Sequence, residues 1–168
     1  FLAQLLLTSS VAFAATMSPI NHGKVVTTNP IDTTPQLPIG NNKQFAVRGI
    51  TQLGSITYIG GAFPSISGVS RTNIAAFNTT SGAIQPFAPK ITGGTVETVA
   101  STDDGNILVG GTFPAVNGIS KPGIAKLNTN GSLDNGFNPS LTLQPGTNKM
   151  GVHHIVSRGY YTYISGSF

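Results

Sequence analysis

Cysteine is absent from the sequence, which excludes disulfide bonds, thiolate metal ligands and a catalytic thiol. Charged residues are scarce as well, since they make up 8% of the chain against roughly a quarter in an average globular protein. The polar surface must therefore come from serine, threonine, asparagine and glycine, which favour turns and strands over helices. This composition is typical of a β-rich fold with many turns.

Acidic residues are the scarcest charged type, with five Asp and Glu against nine Lys and Arg. The net charge of +4 therefore reflects a lack of acids and not a basic cluster. The Lys and Arg residues stand singly between Lys24 and Arg158, and no two are adjacent. Because nucleic-acid binding needs cations clustered on one face, we predict that the chain has no nucleic-acid partner.

The sequence has one long apolar run, and it stands at the start. Residues 1–14 end in Ala12-Phe13-Ala14, which fits the small-x-small cleavage rule of secretory signal peptides. We interpret residues 1–14 as a signal peptide whose own start is truncated, because an initiator Met and a basic segment are missing. The run is too short to span a bilayer, so the mature chain has no predicted membrane span. A buried helix of a cytosolic domain and a retained pilin-like stem are the alternatives.

The segment that follows is rich in residues that favour turns. Residues 15–44 contain Thr27-Thr28-Asn29-Pro30 and Thr33-Thr34-Pro35. We interpret this Ser/Thr/Pro-rich segment as a linker between the signal peptide and the rest of the chain. With a signal peptide before it, the remaining chain is expected to be secreted or held at the cell surface.

An internal repeat covers the rest of the chain. A strand-like hexapeptide that ends in Gly-x-Phe occurs at residues 58–63, 108–113 and 163–168. Three further motifs recur at corresponding positions around it. They are Gly-x-Ser-Arg/Lys at 68–71 and 118–121, Ile-Ala-x-Phe/Leu-Asn at 74–78 and 124–128, and Val-x-x-Val/Ile at 47–50, 96–99 and 152–155. A sequence that repeats itself at a fixed period is typical of a repeat architecture.

Each repeat contains several short strands. In the second copy, residues 96–100 and 107–109 are β-prone and are separated by the turn 103–106, while the Gly-Gly pair after them marks a bulge or a close backbone approach. Residues 123–127 alternate, with Lys126 predicted to face outward. We predict an all-β fold of repeated antiparallel four-stranded blades of a β-propeller, because three or four strands in about fifty residues is the period of a blade. A β-solenoid, whose coils are usually shorter, is the alternative.

The combined pattern resembles a known family. Gly-Gly-x-Phe, Gly-x-Ser-Arg/Lys, Ile-Ala-x-Leu/Phe-Asn and Gly-x-Leu-Asp-x-x-Phe-x-Pro, the last at residues 131–139, are similar to the delta-60 repeat, a β-propeller family of secreted and surface proteins. Kelch-like blades are a weaker likeness. Copy one departs from the pattern at Gln85, where Asp is expected. The resemblance covers residues 45–168 and implies an extracellular propeller without known catalytic residues.

Residues 45–168 correspond to about two and a half blades. A closed ring usually needs four to eight. We therefore expect this sequence to be a fragment of a longer chain, and the remaining blades of the same polypeptide to be its partners.

Few residues suggest a chemical site. Asp103 and Asp104 fall in a turn, where Asp side chains usually bind their own backbone. Calcium binding through the oxygen atoms of this turn is an open alternative, although the Asp-x-Asp-x-Asp-Gly spacing of a calcium loop is missing. We predict no other cofactor and no catalytic or metal-binding residue. Asn78-Thr79-Thr80 is a formal N-glycosylation sequon, relevant to a eukaryotic secretory pathway.

Four residues form a candidate ligand surface. Arg71 and Lys121 share one position of the repeat, either as a repeated functional cation or as stems packed on the blade that bind turn carbonyls. Tyr160 and Tyr161 offer aromatic rings of the type on which sugars stack, although alternating aromatics in a strand usually serve the core.

These observations favour a non-enzymatic extracellular or cell-surface module for binding, adhesion or scaffolding. Its expected partner is a surface polymer or a protein ligand. The alternative is part of a secreted propeller hydrolase or lyase that acts on a polysaccharide, with catalytic residues supplied by other blades.

Overall fold

A computed structural model describes residues 46–143, 145 and 149–168. The predicted signal peptide (1–14) and the predicted linker (15–44) lie outside the described residues. Within the described ranges every regular element is a β-strand. The prediction of an all-β fold is therefore confirmed.

Thirteen strands are described, in three groups that follow the sequence repeat. The first group contains β1 (Ala46–Leu53), β2 (Ile56–Ala62), β3 (Ser65–Ile66), β4 (Val69–Ser70) and β5 (Ile74–Asn78). The second contains β6 (Ile91–Thr92), β7 (Val96–Ser101), β8 (Ile107–Gly111), β9 (Ala115–Val116), β10 (Ile119–Ser120) and β11 (Ile124–Leu127). The third contains β12 (Gly151–Arg158) and β13 (Tyr161–Ser167).

Three antiparallel sheets form the main body of the repeats. They are blade 1, with strand order β1-β2-β5, blade 2, with order β7-β8-β11, and blade 3, with β12-β13. The predicted fourth strand is present in blades 1 and 2 as a segment held by one isolated bridge, at Ile84 and at Leu133. The hairpin β9-β10 is extended by β6, which directly precedes β7 in the chain. The first strand of each blade (β1, β7 and β12) is called its inner strand below.

The blades pack face to face, with each inner strand against the blade before it. The Val-x-x-Val/Ile unit explains why: Val96 and Val99 of β7 are buried against Gly60 of β2. A methyl group at Gly60 would clash with both valines, and one at Gly61 would clash with the backbone of Ala46 in its own blade. The first glycine therefore admits the next blade and the second admits the neighbouring strand, which confirms the predicted close approach.

The hydrophobic core consists of three clusters. Two lie at the junctions between blades, and the third lies within the first repeat and comprises Ile59, Phe63, Ile66, Ala75 and Phe77. Tyr58 packs edge-on against Phe87 at the junction of blades 1 and 2, with 5.1 Å between ring centroids. Burial of these two rings away from water supplies a large part of the local hydrophobic stabilisation. At the junction of blades 2 and 3, Leu108 and Ile124 pack with Val152 and Ile155. An exposed ion pair, Arg48 Nη1 to Glu97 Oε2 at 2.8 Å, crosses the first junction.

The described blades do not close a ring. Val47 and Ile50 of β1 are 37% and 67% exposed, whereas the equivalent residues of β7 and β12 are buried under the preceding blade. At the other end Tyr163 is 63% exposed, although the same repeat position is buried in blades 1 and 2. Repeated antiparallel blades that pack face to face without closure form an incomplete β-propeller, as predicted.

Candidate functional site

A cleft of about 590 Å³ opens between blades 2 and 3. It lies at the end of the blades where the inner strands turn back, and both turns contribute to its wall. Its lining comprises Thr102, Asp103, Asp104, Leu108, Lys126, Phe137, Gly159, Tyr160 and Thr162. Concave surfaces that combine apolar and polar side chains are the usual place of ligand binding, so this cleft is the candidate site.

The turn between β7 and β8 positions the two carboxylates. Thr102 Oγ1 donates a hydrogen bond to Asp104 Oδ1 and lies 3.0 Å from the carbonyl oxygen of Asn106. Gly105, whose φ is 80°, closes the turn. Its backbone N–H donates a hydrogen bond of 3.0 Å to the carbonyl oxygen of Thr102. Because only glycine adopts this conformation without strain, the sequence Asp103-Asp104-Gly105 sets the direction of both acidic side chains.

Lys126 of β11 lies between two carboxylates. Its Nζ donates to Asp104 and lies 3.5 Å from Asp134 Oδ2. The hydrogen bonds from Lys126 and from Thr102 lower the pKa of Asp104 below its ordinary value. In return, the hydrogen bond to Asp104 raises the pKa of Lys126, against a smaller opposing effect of burial. Both groups are therefore held in their charged forms near neutral pH.

The carboxylate of Asp103, the other acid of the turn, links blade 2 to blade 3. Asp103 Oδ2 accepts a hydrogen bond of 2.8 Å from the backbone N–H of Gly159, in the turn of blade 3. The next residue, Tyr160, is fully exposed and lines the cleft. An uncovered aromatic ring thus stands at the edge of a cleft whose lining combines charged, hydroxyl and apolar side chains.

Asp104 does not have the electrostatics of a general acid. A general acid for glycoside cleavage needs a carboxyl group with a raised pKa, whereas the pKa of Asp104 is lowered. In the part of the chain that the structure describes, no group of three or more His, Asp or Glu side chains could hold a metal ion. No set of residues is therefore assigned to the calcium suggested by the turn.

The structure brings one of the four predicted ligand residues to the cleft, which is Tyr160. Lys121 is buried, and its Nζ donates to the Phe137 carbonyl at 3.0 Å and to Asn138 Oδ1 at 3.2 Å. In blade 1, Arg71 Nη2 donates to the Gln85 carbonyl at 2.9 Å, which is the repeat position of Asp134 and not of Phe137. Both cations thus hold the outer segment of their own blade, and a ligand role for them stays a prediction.

Tyr161 lies on the open face of blade 3 and not in the cleft. Its ring is 6.4 Å from that of Tyr163, centroid to centroid. Tyr163 stands at the repeat position of Tyr58 and Leu108, which are both buried by the next blade. The two rings therefore lie on the face of blade 3 that corresponds to the face by which blades 1 and 2 each contact the next blade.

Sequence reasoning missed the role of Lys126. It was predicted to face outward, but its side chain is only 15% exposed and pairs with Asp104. In blade 1 the same position is Ala76, which pairs with Tyr58 in the sheet, while Lys126 pairs with Leu108. The departure of the second copy from the first at these two positions is the signal that could have indicated a site.

Comparison with known proteins supports the fold. Residues 102–137 match a family described as "Domain of unknown function (DUF5122) beta-propeller". The matched stretch includes the turn, Lys126 and Phe137, which form the blade 2 side of the cleft. No curated protein and no solved structure matches the chain. The match supports a β-propeller repeat family, and the finer assignment to the delta-60 repeat stays a prediction. No helix long and apolar enough to cross a membrane occurs in the described ranges.

Proposed function

On the premise of a β-propeller repeat family, we propose that this chain is a non-enzymatic binding module at the cell exterior. It takes a surface polymer in the cleft between blades 2 and 3. The observation that carries the proposal is the pairing within the cleft. Lys126 is held by Asp104 and Asp134, and Asp103 is held by Gly159, so the charged groups are fixed as hydrogen-bonding partners and Tyr160 is left uncovered.

The chemistry of the cleft favours a neutral polysaccharide. Two carboxylates, Asp103 and Asp104, and one ammonium group, that of Lys126, line the cleft. Asp134 lies beside Lys126, so the charged groups at the cleft carry an excess of negative charge that repels polyanions. Carboxylate and hydroxyl oxygens accept hydrogen bonds from sugar hydroxyls. The Tyr160 ring adds a flat apolar surface with a polar tip, which suits the apolar face of a sugar ring.

The secreted or cell-surface location is part of the proposal. Its support is the apolar run at residues 1–14 with its small-residue end, together with a low content of charged residues. Attachment of further blades of the same polypeptide is proposed on the exposed faces of blades 1 and 3. For the hydrolase or lyase alternative, Asp104 does not qualify as the general acid, because the hydrogen bond from Lys126 lowers its pKa. The catalytic residues of that alternative would come from other blades.

Binding of the chain to neutral polysaccharides tests the proposal, with Tyr160→Ala and Tyr161→Ala as a matched pair. Both tyrosines are exposed neighbours, but only Tyr160 lines the cleft. We expect Tyr160→Ala to weaken binding roughly tenfold, the effect of losing about 1.4 kcal/mol of ring contact, and Tyr161→Ala to have little effect. Equal affinities of Tyr160→Ala and the wild type would overturn the cleft as the site. Binding to proteins but to no polysaccharide would overturn the proposal that the ligand is a polysaccharide.

A further inference from the structure

We propose that Asn78 is an acceptor for N-linked oligosaccharide, displayed by the turn that follows β5. The modification requires passage through a secretory pathway that contains an oligosaccharyltransferase. It therefore rests on the proposed secreted location but is independent of the proposed ligand cleft. The class of donor is an oligosaccharide linked to a lipid through pyrophosphate.

The turn holds the sequon in an accessible form. Asn78 is half-buried at the end of β5, and Thr79, Thr80 and Ser81 are all exposed. Asn78 Oδ1 accepts hydrogen bonds from the backbone N–H groups of Thr80 at 3.0 Å and Ser81 at 2.9 Å, and from Ser81 Oγ at 3.1 Å. An Asn side chain that binds the backbone two residues ahead forms an Asx-turn, so the carboxamide is held in one orientation.

The reacting atom of Asn78 is not engaged. All three side-chain hydrogen bonds of this residue go to Oδ1, and within the described residues Nδ2 has no hydrogen-bond partner. The middle residue of the sequon is Thr79 and not proline, as the acceptor motif requires. The hydroxyl-bearing Thr80 is exposed beside it.

The equivalent turn of blade 2 provides a natural contrast. Asn128 occupies the same repeat position, but residue 130 is Asn, so the sequon is incomplete. Asn128 Nδ2 also donates a hydrogen bond of 2.8 Å to Ser132 Oγ. The repeat thus uses this asparagine to hold a turn in both blades, but Asn128 itself lacks a sequon and has an engaged amide nitrogen. The same turn of blade 2 carries a second complete sequon two residues later, Asn130-Gly131-Ser132, in which Asn130 Oδ1 accepts hydrogen bonds from the Ser132 N–H at 2.9 Å and from Ser132 Oγ at 2.7 Å.

The reaction at Asn78 is a group transfer without redox change. A bond forms between Nδ2 and the anomeric carbon of the first sugar, while the bond from that carbon to the pyrophosphate oxygen breaks. The lipid pyrophosphate leaves with the electron pair, and the amide nitrogen loses one proton to a base of the transferase. The product is a neutral N-glycosidic amide.

The test uses the purified, folded chain, a single-subunit eukaryotic oligosaccharyltransferase and the lipid-linked donor, with peptide mapping by mass spectrometry as the readout at each asparagine. We expect the wild type to gain an oligosaccharide at Asn78, and Asn78→Gln and Thr80→Ala to gain none at residue 78. Asn130→Thr removes the sequon at residues 130–132, completes one at residues 128–130 and is the matched control. In the folded chain we expect Asn128 of this variant to react roughly fivefold more slowly than Asn78, because a hydrogen bond must first break.

The same reactions on heat-unfolded chain separate sequence from structure. There we expect Asn78 and Asn128 of the Asn130→Thr variant to react alike. A folded wild type that stays unmodified at Asn78 while its unfolded form reacts there would overturn the proposal, as would failure of both forms at Asn78. Equal rates at the two asparagines in the folded variant would overturn it too, because the unengaged Nδ2 is the feature on which it stands. None of these results depends on polysaccharide binding.

Discussion

At Gly110 a methyl group would lie 2.7 Å from Thr98 Cγ2 and 2.8 Å from Val152 Cγ1. The first atom belongs to the same blade and the second to blade 3. We expect Gly110→Val to destabilise the chain by about 1–3 kcal/mol, the usual cost of overpacking a well-filled contact. Thermal or denaturant unfolding measures the change.

The third copy of the repeat supplies the control. Ser165 occupies the position of Gly110, but it is exposed on the open face of blade 3. We expect Ser165→Val to change stability by no more than about 0.5 kcal/mol, as is usual for surface substitutions. Equal destabilisation by both valines would contradict the idea that inter-blade contact makes this glycine necessary.

The Asp104–Lys126 ion pair predicts a pH dependence of stability. Because the folded-state pKa of Asp104 lies below its ordinary value of 3.8, the stabilisation is present above that value and is lost as the pH falls through the lowered pKa. Because the pKa of Lys126 lies above its ordinary value of 10.5, the stabilisation is also lost as the pH rises through the raised pKa. Unfolding midpoints measured across the pH range should show both losses.

The variant Lys126→Met separates the contribution of Lys126 and its two carboxylate partners, Asp104 and Asp134, from that of the other acids. Glu97 also has a lowered pKa, since hydrogen bonds from Thr95 and Arg48 together outweigh the opposing effect of burial, so the wild type alone is not decisive. We expect the difference in stability between wild type and Lys126→Met to shrink at both pH extremes. If the difference in stability between the two proteins stayed constant across the pH range, the ionisation of Asp104 and Lys126 would make no contribution to the free energy of unfolding.

Among the elements, the strand ends that carry phenylalanine differ in burial. The repeat predicts equivalent burial for Phe63 and Phe113, which follow β2 and β8, and both are buried, at 4% and 1% exposed. It also predicts equivalent burial for Phe87 and Phe137, but Phe87 is buried while Phe137 is only half-buried, so this second expectation is wrong in part. The physical reason is that Phe137 lines the open cleft.

This difference gives a matched pair of truncations. We expect Phe113→Ala to cost about 3–5 kcal/mol, as is typical of a fully buried phenylalanine. Phe137→Ala should cost clearly less, because part of its ring already faces solvent in the folded chain. Chemical denaturation of both variants checks the order, and a larger loss for Phe137→Ala would mean that the cleft is closed in solution.

For the whole molecule, the unpaired faces of blades 1 and 3 govern association. Val156, Tyr161 and Tyr163 are exposed on blade 3 and Ile50 on blade 1. Repeats that bury their faces only against neighbours leave apolar surface at the ends, and an uncharged, β-prone strand such as β13 is prone to aggregate. We expect residues 16–168 alone to be poorly soluble or oligomeric, and a chain with the further blades to be monomeric, by gel filtration.

A charge on the open face tests the cause of association. Tyr163→Glu should favour the monomer, because inward-pointing charges on open strands oppose docking. Tyr160→Glu, which lies in the cleft, should leave association unchanged. A stable monomer of unmodified residues 16–168 would show that these faces do not need a partner.

Local order along the chain was determined by the sequence itself. The strands and their antiparallel order could be predicted because they depend on short-range spacing, which the copies of the repeat report independently. The Gly-Gly step rests on two copies, since the third has Ser165-Gly166. Burial of β8 on both faces followed from its continuous apolar residues, and Ile107, Leu108 and Val109 are indeed fully buried. Such features need no knowledge of which residues of other blades lie opposite.

The cleft, in contrast, was decided by the tertiary structure. Lys126, Asp104 and Asp134 are polar residues from a strand, a turn and an outer segment, and nothing in their spacing indicates that they meet. Asp103 reaches Gly159 from 56 positions away in the sequence. Whether a junction is filled, as at Tyr58, or left open depends on the pair of faces brought together, and that pairing exists only when the blades have packed.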